Sequence, residues 1–125
     1  MGYFINSREP QYVAPVFYAV QILPDGNVIS FRVNNFDRES FAENYIGIGL
    51  RTHKVGKYTV MFSHRAKSCG KPMNYLASRF TRIKIYGDAF VVKETVFGTP
   101  LLFSAKEAKE CSEVLESVFV RKRRM

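Results

Sequence analysis

The stretch VQILPDGNVISFRV, residues 20–33, predicts a β-hairpin and decides the fold class. Its centre, residues 24–27, reads Pro-Asp-Gly-Asn, in which proline presets φ at the first corner and glycine takes a positive φ at no steric cost. From Ile29 to Val33 every second residue is apolar and those between are polar, which is typical of a strand with one buried face. The sequence therefore predicts an antiparallel pair, with the apolar run at residues 13–23 as its first strand.

Two more hairpins are predicted downstream. Residues 45–50 are apolar with two glycines, and the chain is expected to turn at residues 53–56 and to return through residues 57–63. Ile46, Ile48 and Val60 of this hairpin are expected to face the core. Residues 79–86 are interpreted as a further strand, followed by a turn and an antiparallel partner at residues 90–97. The sheet is therefore expected to contain about six strands.

Two segments carry helix signals. Asp37 can cap a short helix that places Phe41 on its inner face. A longer helix is expected over residues 105–119, because Ser104 and Glu107 form a capping box in which each side chain satisfies a free backbone N–H near the other. The apolar residues of this helix recur at helical spacing and form one stripe: Ala108, Cys111, Val114, Leu115, Val118 and Phe119.

These elements define an α+β fold, an antiparallel sheet of about six strands in hairpins with the C-terminal amphipathic helix packed on one face. The 125 residues suit one domain, residues 1–125, and the 46% of hydrophobic residues can fill a core. Residues 1–11 are expected to form a loose N-terminal arm. Residues 120–125 are expected to form a basic tail.

The chain carries no signal for secretion or for membrane insertion. Its N-terminus lacks a basic region followed by an apolar run, and no segment approaches the about 18 uninterrupted apolar residues of a membrane span. Two cysteines, Cys69 and Cys111, are too few for a disulfide framework, so we expect free thiols in a reducing compartment. We expect an intracellular, cytoplasmic protein, or a nuclear one in a eukaryotic or viral setting. The oligomeric state, including a homodimer, stays open.

One block of sequence holds the whole excess of positive charge. The net charge is +8, and residues 44–87 contain nine Lys or Arg side chains and no Asp or Glu. A run this long without a carboxylate leaves its cations unpaired locally, which indicates an anionic partner. The alternative is that acids from elsewhere fold back on the block, either those of the C-terminal helix or those of the preceding segment, Asp37, Glu39 and Glu43.

The predicted strand at residues 79–86 supplies the most informative pattern. Side chains alternate across a strand, so Thr81, Ile83 and Ile85 would face the core. The opposite face would combine aromatic rings with cations: Phe80, Arg82, Lys84 and Tyr86. Rings on which bases stack and cations that hold phosphates are the requirements for binding a single-stranded nucleic acid.

The sequence therefore predicts a small basic protein that binds single-stranded DNA or RNA, without catalysis, in an accessory or regulatory role of the kind found in viruses and phages. Its predicted nucleic-acid-binding residues are the strand face and the cations around it: Arg51, Lys54, Lys57, Arg65, Lys67, Lys71, Arg79, Phe80, Arg82, Lys84 and Tyr86. One alternative is an interaction protein that docks this basic face on an acidic partner protein.

Enzymatic and metal-dependent functions have weaker support. A metal-free ribonuclease, the second alternative, could use His53 or His64 as a base with Lys or Arg to stabilise the phosphorane, but nothing places the histidines together. Residues 69–72 resemble a phosphate-binding loop in composition only, because the P-loop spacing is absent. His53, His64 and Cys69 do not have the paired spacing of zinc ligands. No cofactor, no metal and no catalytic residue is therefore predicted.

Overall fold

The structure of the chain, a computed structural model, describes residues 16–34, 38–95, 101 and 103–124; residues 16, 34, 38 and 118–124 are described as backbone only. Five strands are present: β1 Val16–Ile22, β2 Val28–Asn34, β3 Leu50–Val55, β4 Tyr58–Ser63 and β5 Ala89–Val92. The helices are α1 Arg38–Phe41, which continues as the π-helical turn Ala42–Ile46, then α2 Tyr75–Thr81 and α3 Ala105–Arg124. The predicted arm at residues 1–11 lies outside the described residues.

The strands form one antiparallel sheet in the order β2-β1-β5-β4-β3. The α+β prediction is confirmed, and the described residues supply five strands of the sheet. The first hairpin has the predicted turn, with Ile22 paired with Val28 and Phe17 paired with Val33. The second hairpin turns at residues 56–57, and its first strand begins only at Leu50, because the preceding residues belong to the π-helical turn and a loop.

The third predicted hairpin is wrong. Residues 79–86 are not a strand: the first three belong to α2, and the rest form a loop that touches the chain in one isolated bridge, between Tyr86 and Met73. The segment is helical because Asn74 caps α2 and because Leu76 and Phe80 lie one helical turn apart. The strand β5 pairs instead with β1 and β4. All four of its side chains are buried, as expected for a central strand covered on both faces.

Both faces of the sheet are covered. On one face, α2 and α3 pack against a cluster that includes Val20, Val60 and Val91. On the other face, the segment of α1 and the π-helical turn packs against Met61 and Phe90. The second cover was predicted only as a short helix, and its predicted inward residue, Phe41, is 2% exposed, which confirms that position. The predicted cap Asp37 lies outside the described residues.

The C-terminal helix packs as predicted and runs further than predicted. Its capping box is present, since Ser104 Oγ accepts the Glu107 N–H at 3.1 Å and Glu107 Oε1 accepts the Ser104 N–H at 3.3 Å. Ala108, Cys111 and Leu115 are buried, whereas Val114 is 51% exposed and does not widen the stripe as predicted. The helix continues beyond residue 119 to Arg124, through most of the predicted tail.

Two apolar residues expected in the core lie at the surface. Ile48 is 75% exposed and Ile83 is 36% exposed, although Val60 and Ile85 are buried as predicted. Both exposed isoleucines lie in loops and not in the strands predicted for them. They therefore contribute apolar area to the surface of the protein.

Candidate functional site

The acids of the described chain do not neutralise the acid-free block of residues 44–87. The acid of α3 that forms an ion pair is Glu107, and its partner at 2.8 Å is Lys93, outside the block. None of the nine cations of the block forms an ion pair with a described carboxylate, including those of Glu39 and Glu43. Among the described residues, the cations of the block thus lack carboxylate partners; Asp37, the third acid named as a possible partner, lies outside the described residues.

Asn74 fixes the segment that carries much of this charge. Its side chain is fully buried, and its Oδ1 accepts the Ala77 N–H at 3.1 Å, which caps α2. Its Nδ2 donates to the carbonyl oxygens of Ile22 and Gly87, both at 2.8 Å. One side chain therefore ties together β1, the start of α2 and the chain that follows α2.

The loop at residues 82–86 is held at both ends by hydrogen bonds. Arg82 ends α2 in the left-handed conformation, with φ 65° and ψ 22°, and its N–H donates to the Ser78 carbonyl oxygen at 2.7 Å. Ser78 Oγ also accepts the Ile85 N–H at 2.8 Å. The left-handed conformation costs a non-glycine residue about 1 kcal/mol, so the surrounding hydrogen bonds impose this conformation on Arg82.

The first cleft of the surface, the Tyr75 cleft, has a volume of about 300 Å³. Tyr75, which is 53% exposed, and Ile83 supply apolar surface. Three cations of the predicted site line the same cleft: Arg79, Arg82 and Lys84. The cleft therefore combines an aromatic ring with concentrated positive charge.

The second cleft, the Tyr86 cleft, has a volume of about 280 Å³. Lys67, Lys84 and Tyr86 line it, together with His64. The Lys67 ammonium lies 5.3 Å from the centroid of the Tyr86 ring, which is a cation–π distance. Because Lys84 also lines the Tyr75 cleft, the two clefts adjoin.

The third cleft, the Tyr45 cleft, is the largest of the three at about 420 Å³. Tyr45 and Ile48 line one part of it, and the cations Arg65 and Lys71 another. It adjoins the Tyr86 cleft, since Ser63 lines both. The three clefts therefore follow one another along the surface, and each combines one tyrosine with at least two cations.

The remaining residues of the predicted site lie elsewhere. Phe80 packs against the core and lies 6.4 Å, between ring centroids, from Tyr58, so the predicted exposed ring at this position is absent. Lys54 Nζ donates to Thr59 Oγ1 at 3.3 Å and to the Glu94 carbonyl oxygen at 3.0 Å. Arg51 and Lys57 belong to the β3–β4 hairpin and line none of the three clefts. The structure thus gathers six predicted cations and Tyr86: Arg65, Lys67, Lys71, Arg79, Arg82, Lys84 and Tyr86.

The histidines do not form a pair. His53 pairs with Val60 in the hairpin, whereas His64 follows the last residue of β4, which places the two about 10 Å or more apart along the strands. Among the described residues, no three His, Cys, Asp or Glu side chains are grouped as metal ligands. Cys69 is exposed, and Cys111 is buried in the core, where burial raises its pKa to about 12. No described helix is long and apolar enough to cross a membrane.

Four residues that shape the surface were absent from the predicted site: Tyr45, Asn74, Tyr75 and Asp88. A local signal existed for Asn74, because asparagine followed by a run of helix-compatible residues is a typical N-cap. No sequence pattern marked the two tyrosines, since the sides of the chain that face solvent are determined by packing.

No protein-family model, curated protein or solved structure matches this chain. The three adjoining clefts are the candidate site of the described chain.

Proposed function

We propose that the protein binds single-stranded nucleic acid along the Tyr75, Tyr86 and Tyr45 clefts. One observation carries the proposal: each of three adjoining clefts holds a tyrosine beside at least two cations. A single strand repeats a flat base and a charged phosphate, so clefts that each combine a ring with cations offer partners for both groups. No catalytic step is part of this proposal.

The energetics favour a single strand over a duplex. Stacking a base on an aromatic side chain contributes about 1–3 kcal/mol, and only an unpaired strand can present its bases to separate clefts. Phosphate contacts add affinity that falls with salt, by a slope of about 0.7 per contact for single strands. Binding should therefore weaken steeply as salt is raised, without disappearing while stacking persists.

The test measures the fluorescence anisotropy of a labelled 12-nucleotide oligo-dT or oligo-U with the purified protein over a salt series. The double substitution Arg82→Ala, Lys84→Ala removes two cations from the Tyr75 cleft and one from the Tyr86 cleft. We expect it to weaken binding at least tenfold and to lower the salt slope by about 1.4, the value for two lost contacts. The matched control is Lys106→Ala, Lys109→Ala, which removes the same charge from the exposed side of α3.

Equal losses in the two double variants would show that net charge alone is recognised and would overturn the proposal. Displacement of the oligonucleotide by poly-glutamate at an equal concentration of charge would instead favour the acidic partner protein as the ligand. The same samples run on a denaturing gel test the ribonuclease alternative, because His64 lies in the Tyr86 cleft with Lys67 and Lys84. Intact oligo-U agrees with binding alone, and cleaved oligo-U contradicts it.

A further inference from the structure

We infer that the Tyr45 cleft is a base-reading site for guanine within the bound strand, with Asp88 as the reading residue. This inference rests on the proposed function. It begins from Asp88, the acid that lines a cleft otherwise charged by Arg65 and Lys71. An acidic side chain among phosphate-binding cations repels the phosphates and so weakens non-specific binding. A ligand group that donates hydrogen bonds to the carboxylate offsets this loss.

Asp88 is held by the sheet and not by the cations beside it. Its Oδ2 accepts a hydrogen bond from Gln21 Nε2, on β1, at 2.8 Å. Although all three side chains are described, neither Arg65 nor Lys71 forms an ion pair with Asp88. The carboxylate is thus oriented by an uncharged neighbour and retains acceptor capacity for a ligand, because it has two oxygens with about four lone pairs.

The chemistry of a fixed carboxylate selects guanine. The Watson–Crick edge of guanine presents two adjacent donors, N1–H and the 2-amino group, which one carboxylate can accept together. Adenine, cytosine and uracil each place an acceptor next to their donor on that edge, and this acceptor is repelled by the second carboxylate oxygen. A matched bidentate contact discriminates between bases by about 1–3 kcal/mol, which corresponds to roughly fivefold to 150-fold in affinity.

The rest of the cleft provides a platform for a base. The Tyr45 ring is 46% exposed, and its centroid lies 5.3 Å from that of Phe31, 4.7 Å from that of Phe41 and 5.6 Å from that of Phe90. Three rings therefore hold it in one orientation before any ligand arrives. The volume of the Tyr45 cleft, about 420 Å³, lies within the range of pockets that hold small ligands. Two cations at the cleft are available to the phosphates that flank the base.

A rigid loop places Ile48 at the same cleft. Gly47 and Gly49 flank it with φ of +83° and +87°, a conformation that side chains other than glycine rarely adopt. Ser63 Oγ donates to the Ile48 carbonyl oxygen at 2.7 Å, and the His64 N–H donates to the Gly49 carbonyl oxygen at 2.9 Å. Ile48 is consequently displayed at 75% exposure beside Tyr45, where it can cover the second side of a base.

The experiment compares labelled 12-nucleotide oligo-U strands that carry one central guanine, adenine, cytosine or inosine. We expect the wild-type protein to bind the guanine strand about tenfold more tightly than the adenine strand. Inosine lacks the 2-amino group and should fall between them. The variant Asp88→Asn keeps the shape of the side chain but presents an N–H₂ to one guanine donor, so it should lose the guanine preference.

The matched control is Glu110→Gln, which removes one negative charge from the exposed side of α3. It should retain the guanine preference and should bind plain oligo-U as tightly as the wild-type protein or slightly more tightly. If the wild-type protein binds none of the oligonucleotides, the proposed function itself is wrong. Binding without a guanine preference, a preference for another base, or a guanine preference that survives Asp88→Asn would overturn this inference alone.

Discussion

The acid-free block consists of two halves that use the same residue types differently. In the β3–β4 hairpin, residues 50–63, none of the three cations lines any of the three clefts, and Lys54 is engaged with the protein itself through Thr59 Oγ1 and the Glu94 carbonyl oxygen. In residues 64–87, six cations line the three clefts. A charge count therefore locates the basic segment but does not say which part of it serves a ligand.

The difference arises from backbone regularity. A hairpin satisfies its backbone groups through its ladder, and here the Lys54 side chain binds its cross-strand partner Thr59. Residues 64–87 have only a short helix and an isolated bridge, so side chains such as Asn74 and Ser78 satisfy the backbone there. Irregular backbone fixed in this way leaves concave clefts, where ligands commonly bind.

The largest effect is expected from Asn74→Ala, which should destabilise residues 64–87 and leave the β3–β4 hairpin intact. The substitution removes the cap of α2 and leaves the buried carbonyl oxygens of Ile22 and Gly87 without their donor. A lost cap costs about 1 kcal/mol, and each buried unsatisfied group costs about 1–3 kcal/mol. We expect the free energy of unfolding to fall by about 3 kcal/mol or more, measured by urea denaturation.

Asn27→Ala is the matched control, because Asn27 is exposed and its side chain donates only to the neighbouring Asp25. We expect that control to lose less than about 1 kcal/mol. A similar loss in both variants would contradict the role assigned to Asn74.

The next effect is expected from Lys54→Ala, which tests the hairpin half. The ammonium group of Lys54 donates two hydrogen bonds that are partly buried. Charged hydrogen bonds of this kind contribute about 1.5 kcal/mol, so thermal or urea unfolding should show a loss of that order. Oligonucleotide affinity should change less than twofold, whereas Lys71→Ala in the Tyr45 cleft should lower affinity without lowering stability. The reverse pattern would show that the two halves have been assigned the wrong roles.

A smaller effect, with opposite signs on two measurements, is expected from Arg82→Gly. Glycine adopts the left-handed conformation without the steric cost that Arg82 bears at φ 65°, so the protein should gain up to about 1 kcal/mol of stability. Oligonucleotide affinity should fall, because the Tyr75 cleft loses a cation. Arg82→Lys keeps the charge and the strain, and so should change stability little. A fall in both stability and affinity with Arg82→Gly would indicate that Arg82 is structural.

The sequence predicted the elements whose signals are local. The turn at residues 24–27 and the box of Ser104 and Glu107 contain their own hydrogen-bonding partners within a few residues, and both are present. The helix α2 was missed although its N-cap bond, from the Ala77 N–H to Asn74 Oδ1, is local. The Asn74 side chain is also held by a group 52 residues away, the carbonyl oxygen of Ile22. A strand interpretation of residues 79–86 satisfied the alternation of side chains and ignored this non-local partner.

The sequence predicted the cations of the candidate site but not the clefts that they line. Both Phe80 and Tyr75 belong to α2, yet Phe80 packs against the core and Tyr75 is 53% exposed. The two residues lie at different positions around the helix axis. A strand interpretation of the segment could not represent this difference. Aromatic residues near cations are thus informative only after the packed face of each element is known.

The smallest effect is expected from Glu107→Gln, which tests whether acids of α3 act on the block at all. The hydrogen bond from Lys93, together with that from the Ser104 N–H, lowers the pKa of Glu107. A carboxyl whose pKa is lower in the folded state stabilises the protein above its unfolded-state pKa of about 4.3, and this stability is lost as the pH falls through the folded-state value. Glu107→Gln should therefore lose about 0.5 kcal/mol at pH 7 and less at pH 3, in urea titrations at both values. Because its partner Lys93 lies outside the block, oligonucleotide affinity should stay within twofold of the wild-type value. A marked rise in affinity would mean that Glu107 screens the block through Lys57, the one cation of the hairpin half that also lowers its pKa.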